Sequence, residues 1–223
     1  ISLSINGFLH SDCVPWSKGG LKPGDSILLS RGIGSGVIFA AAMQGTSSAS
    51  YVDSALLTLS ESQHELIEKL QRKVIETSNP NLIHACTDVT GFGLIGHLSE
   101  MINATNLTRL KAKLPLIKVD IFGEAIPTLR GAKSLLEKGF ESTLSPSNKS
   151  FLNLLNSKNK SSGYINLIEH NEYQDNHEIE LIKKLLVDPQ TCGPLMIACD
   201  PDDAEGLIKD SSWHQIGLVD FAQ

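Results

Sequence analysis

Thr87-Asp88-Val89-Thr90-Gly91-Phe92-Gly93-Leu94-Ile95-Gly96-His97 sits between two different periodicities. Before it lies a short apolar run (Leu82, Ile83, Ala85), and after it apolar residues recur at helical spacing (Leu94, Ile95, Leu98, Met101, Ile102). The stretch therefore predicts a strand, a glycine turn and a helix in succession. Such a turn offers backbone N–H groups at the positive end of a helix dipole, which suits phosphate. Asp88, Thr87 and Thr90 add oxygen ligands of the kind a hard cation such as magnesium takes. A carboxylate beside an anion site is repulsive unless a cation bridges the two, so the residue types point to a metal-bridged phosphate. A second role stays open for Asp88, that of a helix cap accepting from the N–H of Thr90 or Gly91. His97, one turn into the helix, is expected to be packed or hydrogen-bonded rather than a ligand.

Gly91-x-Gly93-x-x-Gly96 also satisfies the dinucleotide fingerprint in form. That fingerprint needs an acid about 20 residues on, at the end of a second strand. Here the segment Leu107 to Leu114 reads as a basic strand, and the nearest acid, Asp120, lies beyond Pro115. Asp88 would also repel a pyrophosphate lacking a metal, so a dinucleotide is disfavoured. A second glycine turn, Gly32-x-Gly34-x-Gly36, matches neither this fingerprint nor a Walker A loop, because no Gly-Lys-Ser/Thr follows. Tight packing and ligand contact both explain it. Asp188-Pro189-Gln190-Thr191-Cys192-Gly193 reads as a polar turn with no assigned function. Cys192 has no evident base at fixed spacing.

Outward from these turns the elements mix. Residues 1 to 9 alternate as a strand, and Lys22-Pro23-Gly24-Asp25 is a turn that introduces a buried strand, Ser26 to Ser30. Helices are expected over Val37 to Met43, from Ser60 or Ser62 to Asn79-Pro80, over Glu124 to Lys138, over Glu178 to Leu186 and from Asp200-Pro201 onward. Leu195 to Cys199 and Ile216 to Phe221 are strands, and residues 139 to 163 form an irregular connection with one short helix at most. Strands and helices do not alternate strictly, which predicts an α+β fold, a mixed β-sheet with packed helices, in a single domain over residues 1–223.

Composition narrows the partners. A formal charge of −6 disfavours a non-specific polyanion binder, and 5% aromatic residues leave little for stacking on single-stranded nucleic acid. The basic cluster Arg109, Lys111, Lys113, Lys118 reads as one solvated face. The four cysteines, Cys13, Cys86, Cys192 and Cys199, form no C-x-x-C pair, so reduced thiols in a cytoplasmic protein are expected. No apolar run approaches the roughly 18 residues of a membrane span. The chain starts with Ile1 directly in a strand pattern, as a domain taken from a longer polypeptide does.

Four blocks, in order, carry a family resemblance: Gly7-Phe8-Leu9-His10-Ser11-Asp12; Lys22-Pro23-Gly24-Asp25 through Gly36; Ala85-Cys86-Thr87-Asp88-Val89-Thr90-Gly91-Phe92-Gly93-Leu94; and Asp188-Pro189-Gln190-Thr191. They resemble the second domain of the selenophosphate synthetase (selenide, water dikinase) family, within the superfamily of aminoimidazole ribonucleotide synthetase. The resemblance implies the carboxy-terminal domain fold of that superfamily. It also implies an ATP-dependent phosphotransferase that makes selenophosphate from selenide, with AMP and phosphate as co-products. In such enzymes an amino-terminal domain, absent from this chain, supplies most of the ATP and magnesium site and pairs two subunits. The carboxy-terminal domain contributes one metal-binding aspartate, by motif Asp88, with Thr87, Thr90 and Gly91 near the phosphates. The family's catalytic cysteine or selenocysteine and its lysine lie in a segment this chain lacks, so it holds no catalytic residue and is expected to be inactive alone. One departure stands out: Cys192-Gly193-Pro194 replaces the usual Ser-Gly-Gly. Two other roles fit the same residues, a docking or dimerisation domain of a fused protein and a sister synthetase acting on another nucleophile.

Overall fold

The computed structural model describes residues 4, 15–155, 164–168, 176–210 and 213–222. The expected strand over residues 1 to 9 lies almost wholly outside them. In chain order the strands are β1 (Ser26–Leu29), β2 (Ala85–Asp88), β3 (Ile117–Phe122), β4 (Ile165–Ile168), β5 (Leu195–Cys199) and β6 (His214–Phe221). The α-helices are α1 (Ser35–Met43), α2 (Ala49–Ser60), α3 (His64–Glu76), α4 (Gly93–Lys111), α5 (Ala132–Glu137), α6 (Ser145–Asn148), α7 (Asn176–Val187) and α8 (Pro201–Asp210). The strands form one sheet in the order β2-β5-β1-β6-β3-β4. Every pair is antiparallel except β3 with β4, so the sheet is mixed, with packed helices, as the sequence predicts.

The centre of the sheet is covered on both faces, which explains why β1 reads as an unbroken apolar run rather than an alternating one. Ile27 and Leu29 join the large core with residues of α1, α4, α5 and α7. Leu28 faces the other way and packs with Leu70 of α3, Ala204 and Leu207 of α8, and Trp213. β5 divides alike, Met196 and Ala198 to one side, Ile197 and Cys199 to the other.

The expected basic strand over Leu107 to Leu114 is instead the last turns of α4 and its exit. Leu107, Leu110 and Leu114 recur at helical spacing but are exposed, while the residues turned inward are the polar Thr105 and Asn106. Arg109 and Lys111 in the last turn suit the negative end of the helix dipole. Lys113 then turns left-handed (φ 56°), and the strand begins only after Pro115, at Ile117. The region Glu124 to Lys138 is helical only over α5, after a single 3₁₀ turn at Gly123–Ala125. α2 and β4 were not expected. The irregular connection carries α6 and a 3₁₀ turn (Lys149–Leu154) among its described residues. Ser62 accepts the His64 N–H at 3.1 Å, so it serves the start of α3 from one residue before the cap position.

Buried polar side chains tie α4 to its surroundings. Asn106 donates to the Ile117 carbonyl at 3.0 Å and accepts the Ile117 N–H at 2.9 Å, closing off the start of β3. Thr105 Oγ1 accepts from the N–H groups of Gly20 and Leu21 and donates to the Met101 carbonyl. Replacing Asn106 by Ala strands two buried backbone groups at once. Urea unfolding of Asn106→Ala is expected to show a loss of about 3 kcal/mol; a loss below about 1 kcal/mol would mean that water or a shifted strand replaces the amide.

Candidate metal and phosphate site

β2 ends at Asp88, whose register partner on β5 is Leu195. Five residues later the chain reaches the start of α4. Asp88 is exposed, and its carboxylate has no hydrogen bond or ion pair among the described residues. It does not cap α4: the cap position is Phe92, and no side chain bonds there. The carboxylate is therefore unspent on the fold.

The three neighbours named with it differ in access. Thr87 is buried, its hydroxyl donating to the Asp88 carbonyl at 3.3 Å, so it offers only backbone to a ligand. Thr90 is half-buried, and its hydroxyl lies 3.1 Å from His97 Nε2. His97 is buried and hydrogen-bonded, as expected: its Nδ1 meets Glu100 at 3.1 Å, and Glu100 accepts from Lys18 at 2.6 Å. The Lys18 hydrogen bond holds the Glu100 carboxyl below its usual range against partial burial. Gly91 is the open position: a Cβ there would meet nothing within 4 Å. Phe92 beside it is half exposed, its ring 5.6 Å from His97 and 6.0 Å from Phe151.

The dinucleotide alternative fails on topology. β2 and β3 are separated in the sheet by β5, β1 and β6, so the two strands flanking α4 are not the adjacent parallel pair that fold needs. Asp120 does lie on the following strand, at mid-strand, and is engaged by Asn166.

The Asp188–Gly193 segment, read from sequence as a turn without function, joins the two glycine turns. Gln190 Oε1 accepts from Gly34 N at 2.8 Å, Ser35 N at 3.1 Å and Ser35 Oγ at 3.1 Å. Its Nε2 donates to the Asp188 carbonyl and to Asp188 Oδ2 at 2.7 and 3.1 Å. Its backbone N–H reaches the Thr90 carbonyl at 3.0 Å, and Val89 N–H donates to Pro194 at 2.9 Å. No sequence spacing could show this, since Gln190 is 155 residues from Ser35. Packing also decides the second glycine turn. A Cβ on Gly36 would lie 2.5 Å from Asp188 Oδ1, one on Gly32 2.8 Å from Thr128, and the Gly34 and Ser35 N–H groups are already taken.

Cys192 is exposed and left-handed (φ 45°) where the resemblance expects serine. The loop keeps its anchorage regardless, because the Gly193 carbonyl accepts from Gln63 at 3.0 Å and Arg31 at 3.3 Å. Cys86 and Cys199 are poor nucleophiles: burial pushes their thiols up to about 11 and about 12, helped by nearby carboxylates.

A family model for the carboxy-terminal domain of AIR synthase related proteins matches residues 22–219. The chain belongs to this family. Named relatives of this AIR synthase related domain are selenide, water dikinases. Those of Caldanaerobacter subterraneus subsp. tengcongensis and Rhizobium meliloti are each 30% identical, over 93% of the chain and 50% and 49% of their own lengths. That of Treponema denticola is 28% identical over 94% and 49%. The chain thus spans about half the length of these relatives. Solved structures show the same fold: E. coli HypE, a hydrogenase maturation protein, has a TM-score of 0.55 at 15% identity, covering 94% of this chain and 48% of its own. AaThiL complexed with AMPPCP and TMP scores 0.52 at 13% identity, covering 93% and 48%.

Two tests of this geometry follow from burial. Gly93 is left-handed (φ 69°), and a Cβ there would sit 2.7 Å from the Leu186 carbonyl. Gly93→Ala is expected to cost about 2–4 kcal/mol in thermal or urea unfolding, and Gly91→Ala less than about 1 kcal/mol. Equal losses would contradict this packing. Asp188 supplies the second. Burial pushes its carboxyl up to about 7, against the Val37 N–H, the Gln190 amide and the Gly36 N–H. A raised folded-state pKa makes the contribution full below the unfolded value and lost as pH rises through about 7. The stability advantage of the wild type over Asp188→Asn is expected to shrink by about 2 kcal/mol between pH 5 and 8 in urea titrations. A difference that stays constant with pH would show that Asp188 titrates normally.

Proposed function

We propose that this chain is the carboxy-terminal domain of a selenide, water dikinase, and that Asp88 is its contribution to a magnesium–ATP site. The observation that carries the proposal is an exposed carboxylate with no partner among the described residues, fixed at a strand end beside a glycine turn with open space. A carboxylate needed for folding would be capped, paired or buried, and this one is none of these. Support for the activity comes from the relatives' names, and support for ATP from a fold neighbour complexed with AMPPCP.

Asp88 fits magnesium as one ligand of several. The ion keeps near-octahedral oxygen coordination, largely from phosphates and waters with one or two carboxylates. When bound, magnesium would neutralise charge on the transferring phosphates. The chain's own part is positional. Asp88 faces the metal, Gly91 lets the phosphates approach the backbone, and Thr90 keeps the turn tied to His97. Thr87 contributes through its main chain. The remaining acidic ligands belong to an amino-terminal domain of the same polypeptide, through which two subunits pair in the cytoplasm, and the thiol or selenol and the lysine to a glycine-rich segment ahead of it. The substrates are ATP and selenide, and the products selenophosphate, AMP and orthophosphate.

Asp88→Asn in the full-length protein separates ligand from scaffold. Asn keeps the shape of the residue and loses the charge, so unfolding should move by less than about 0.5 kcal/mol. Selenide-dependent AMP formation should fall by more than ~100-fold, beyond what loss of an outer metal partner costs, with partial recovery at high magnesium. Unchanged turnover would refute the ligand role. Residues 1–223 alone are expected to release no AMP from ATP and selenide.

A further inference from the structure

At the opposite end of β2 from Asp88, roughly 13 Å along the strand, a second polar cluster gathers residues from three distant parts of the chain. Asp25 closes the Lys-Pro-Gly-Asp turn, His84 immediately precedes β2, and Asp200 follows β5 at the start of α8. One ligand atom from each lies within 4.8 Å of the others, the one such group of His, Cys, Asp or Glu among the described residues.

The hydrogen bonds assign the protons. Asp25 is 1% exposed, and its Oδ2 accepts the Lys22 backbone N–H at 2.8 Å. Its Oδ1 lies 2.8 Å from His84 Nδ1, and a buried carboxylate requires a donor there. His84 therefore carries its proton on Nδ1, leaving a lone pair on Nε2. That lone pair points at the Lys22 ammonium, 2.8 Å away, with Asp200 Oδ2 3.8 Å from the same nitrogen. A carboxylate that orients an imidazole so its far nitrogen faces a cation is the arrangement found behind metal-ligating histidines.

We propose that His84 Nε2 and the Asp200 carboxylate form a site for a divalent transition-metal ion, zinc being the best match. Asp25 orients the ring, and Lys22 fills the position in the metal-free chain. Imidazole with carboxylate suits zinc. Two ligands at ~2.0 Å on a tetrahedral ion stand about 3.3 Å apart, so the observed 3.8 Å needs a shift of about half an ångström from Asp200, which is 62% exposed and free to make it. The Lys22 ammonium sits on an exposed, flexible stem and leaves without disturbing the core. Water would complete the coordination. Bound metal would tie the turn before β1, the entry to β2 and the exit of β5 together. Nothing in this site depends on Asp88 or on nucleotide.

The test is zinc titration of the chain, followed by calorimetry and by NMR of the assigned His84 ring nitrogens, which separates this site from thiol binding. Zinc is expected to shift His84 Nε2 at one equivalent. Lys22→Met should tighten binding several-fold by removing the competing cation, and Asp200→Asn should weaken it about tenfold or more. Both residues are exposed, so both variants should fold. Zinc that leaves His84 Nε2 unmoved, or an affinity indifferent to Lys22→Met and Asp200→Asn, would overturn the proposal.

Discussion

The side-chain amide of Gln190 is the interaction on which the candidate site depends. It is 6% exposed, and both its ends are fully used. The oxygen takes up the first-turn N–H groups of α1, which no intrahelical carbonyl can reach. The nitrogen goes to Asp188. Only a neutral amide does both. A glutamate would set a second carboxylate against Asp188, and an apolar residue would leave helix N–H groups buried and unpaired. The same residue's backbone holds the Thr90 carbonyl, and Pro194, four residues on, holds Val89. Asp88 is thus clamped between a β-ladder on one side and the Gln190 loop on the other, while its own side chain takes no part.

That clamp separates the glycines by purpose. Gly32, Gly34, Gly36, Gly93 and Gly193 all lie where a Cβ would collide with backbone or a buried side chain, and they permit the close approach of three loops. Gly91 has nothing near it. In sequence five of the six look alike, as members of Gly-x-Gly repeats, and Gly193 stands alone. In space five are packing residues and one borders open solvent beside the unpaired carboxylate. A glycine where there is room for a side chain, and no positive φ to demand it, is better explained by what approaches from outside than by the fold.

Legibility followed the same division. β1, β5, α1, α7 and the start of α8 were readable because their apolar pattern or cap chemistry is local. The start of α4 was readable too, but its end was not, because Asn106 and Thr105 point inward while Leu107, Leu110 and Leu114 point out. α2 was missed for a related reason: of its apolar residues only Ala55 is fully buried, and Leu56 and Leu57 are exposed. The role of Asp188 to Pro194 was illegible in principle, since its partners lie about 100 to 160 residues away. At the turn between β2 and α4 the residue types were legible. Which of Thr87, Thr90 and Gly91 remains accessible was not, since access is set by His97 and by burial of the strand.

Under the proposed function, electrostatics explains why such a site would be divided between domains. One exposed carboxylate in high dielectric attracts a divalent ion only weakly, and the interaction gains strength when water is excluded and other ligands close around it. A half-site held rigidly on a strand end, with its carboxylate uncommitted, therefore binds little by itself yet loses little in ordering when the facing surface arrives. Rigidity is what the Gln190 loop supplies. A flexible strand end would forfeit much of the gain on each closure, whereas a backbone held by β5 pairing at Asp88 and by loop hydrogen bonds at Val89 and Thr90 leaves only the side chain to be ordered. On that proposal the uncommitted carboxylate and the heavily committed loop beneath it are two parts of one arrangement, in which the fold would bear the cost of positioning for metal and phosphate.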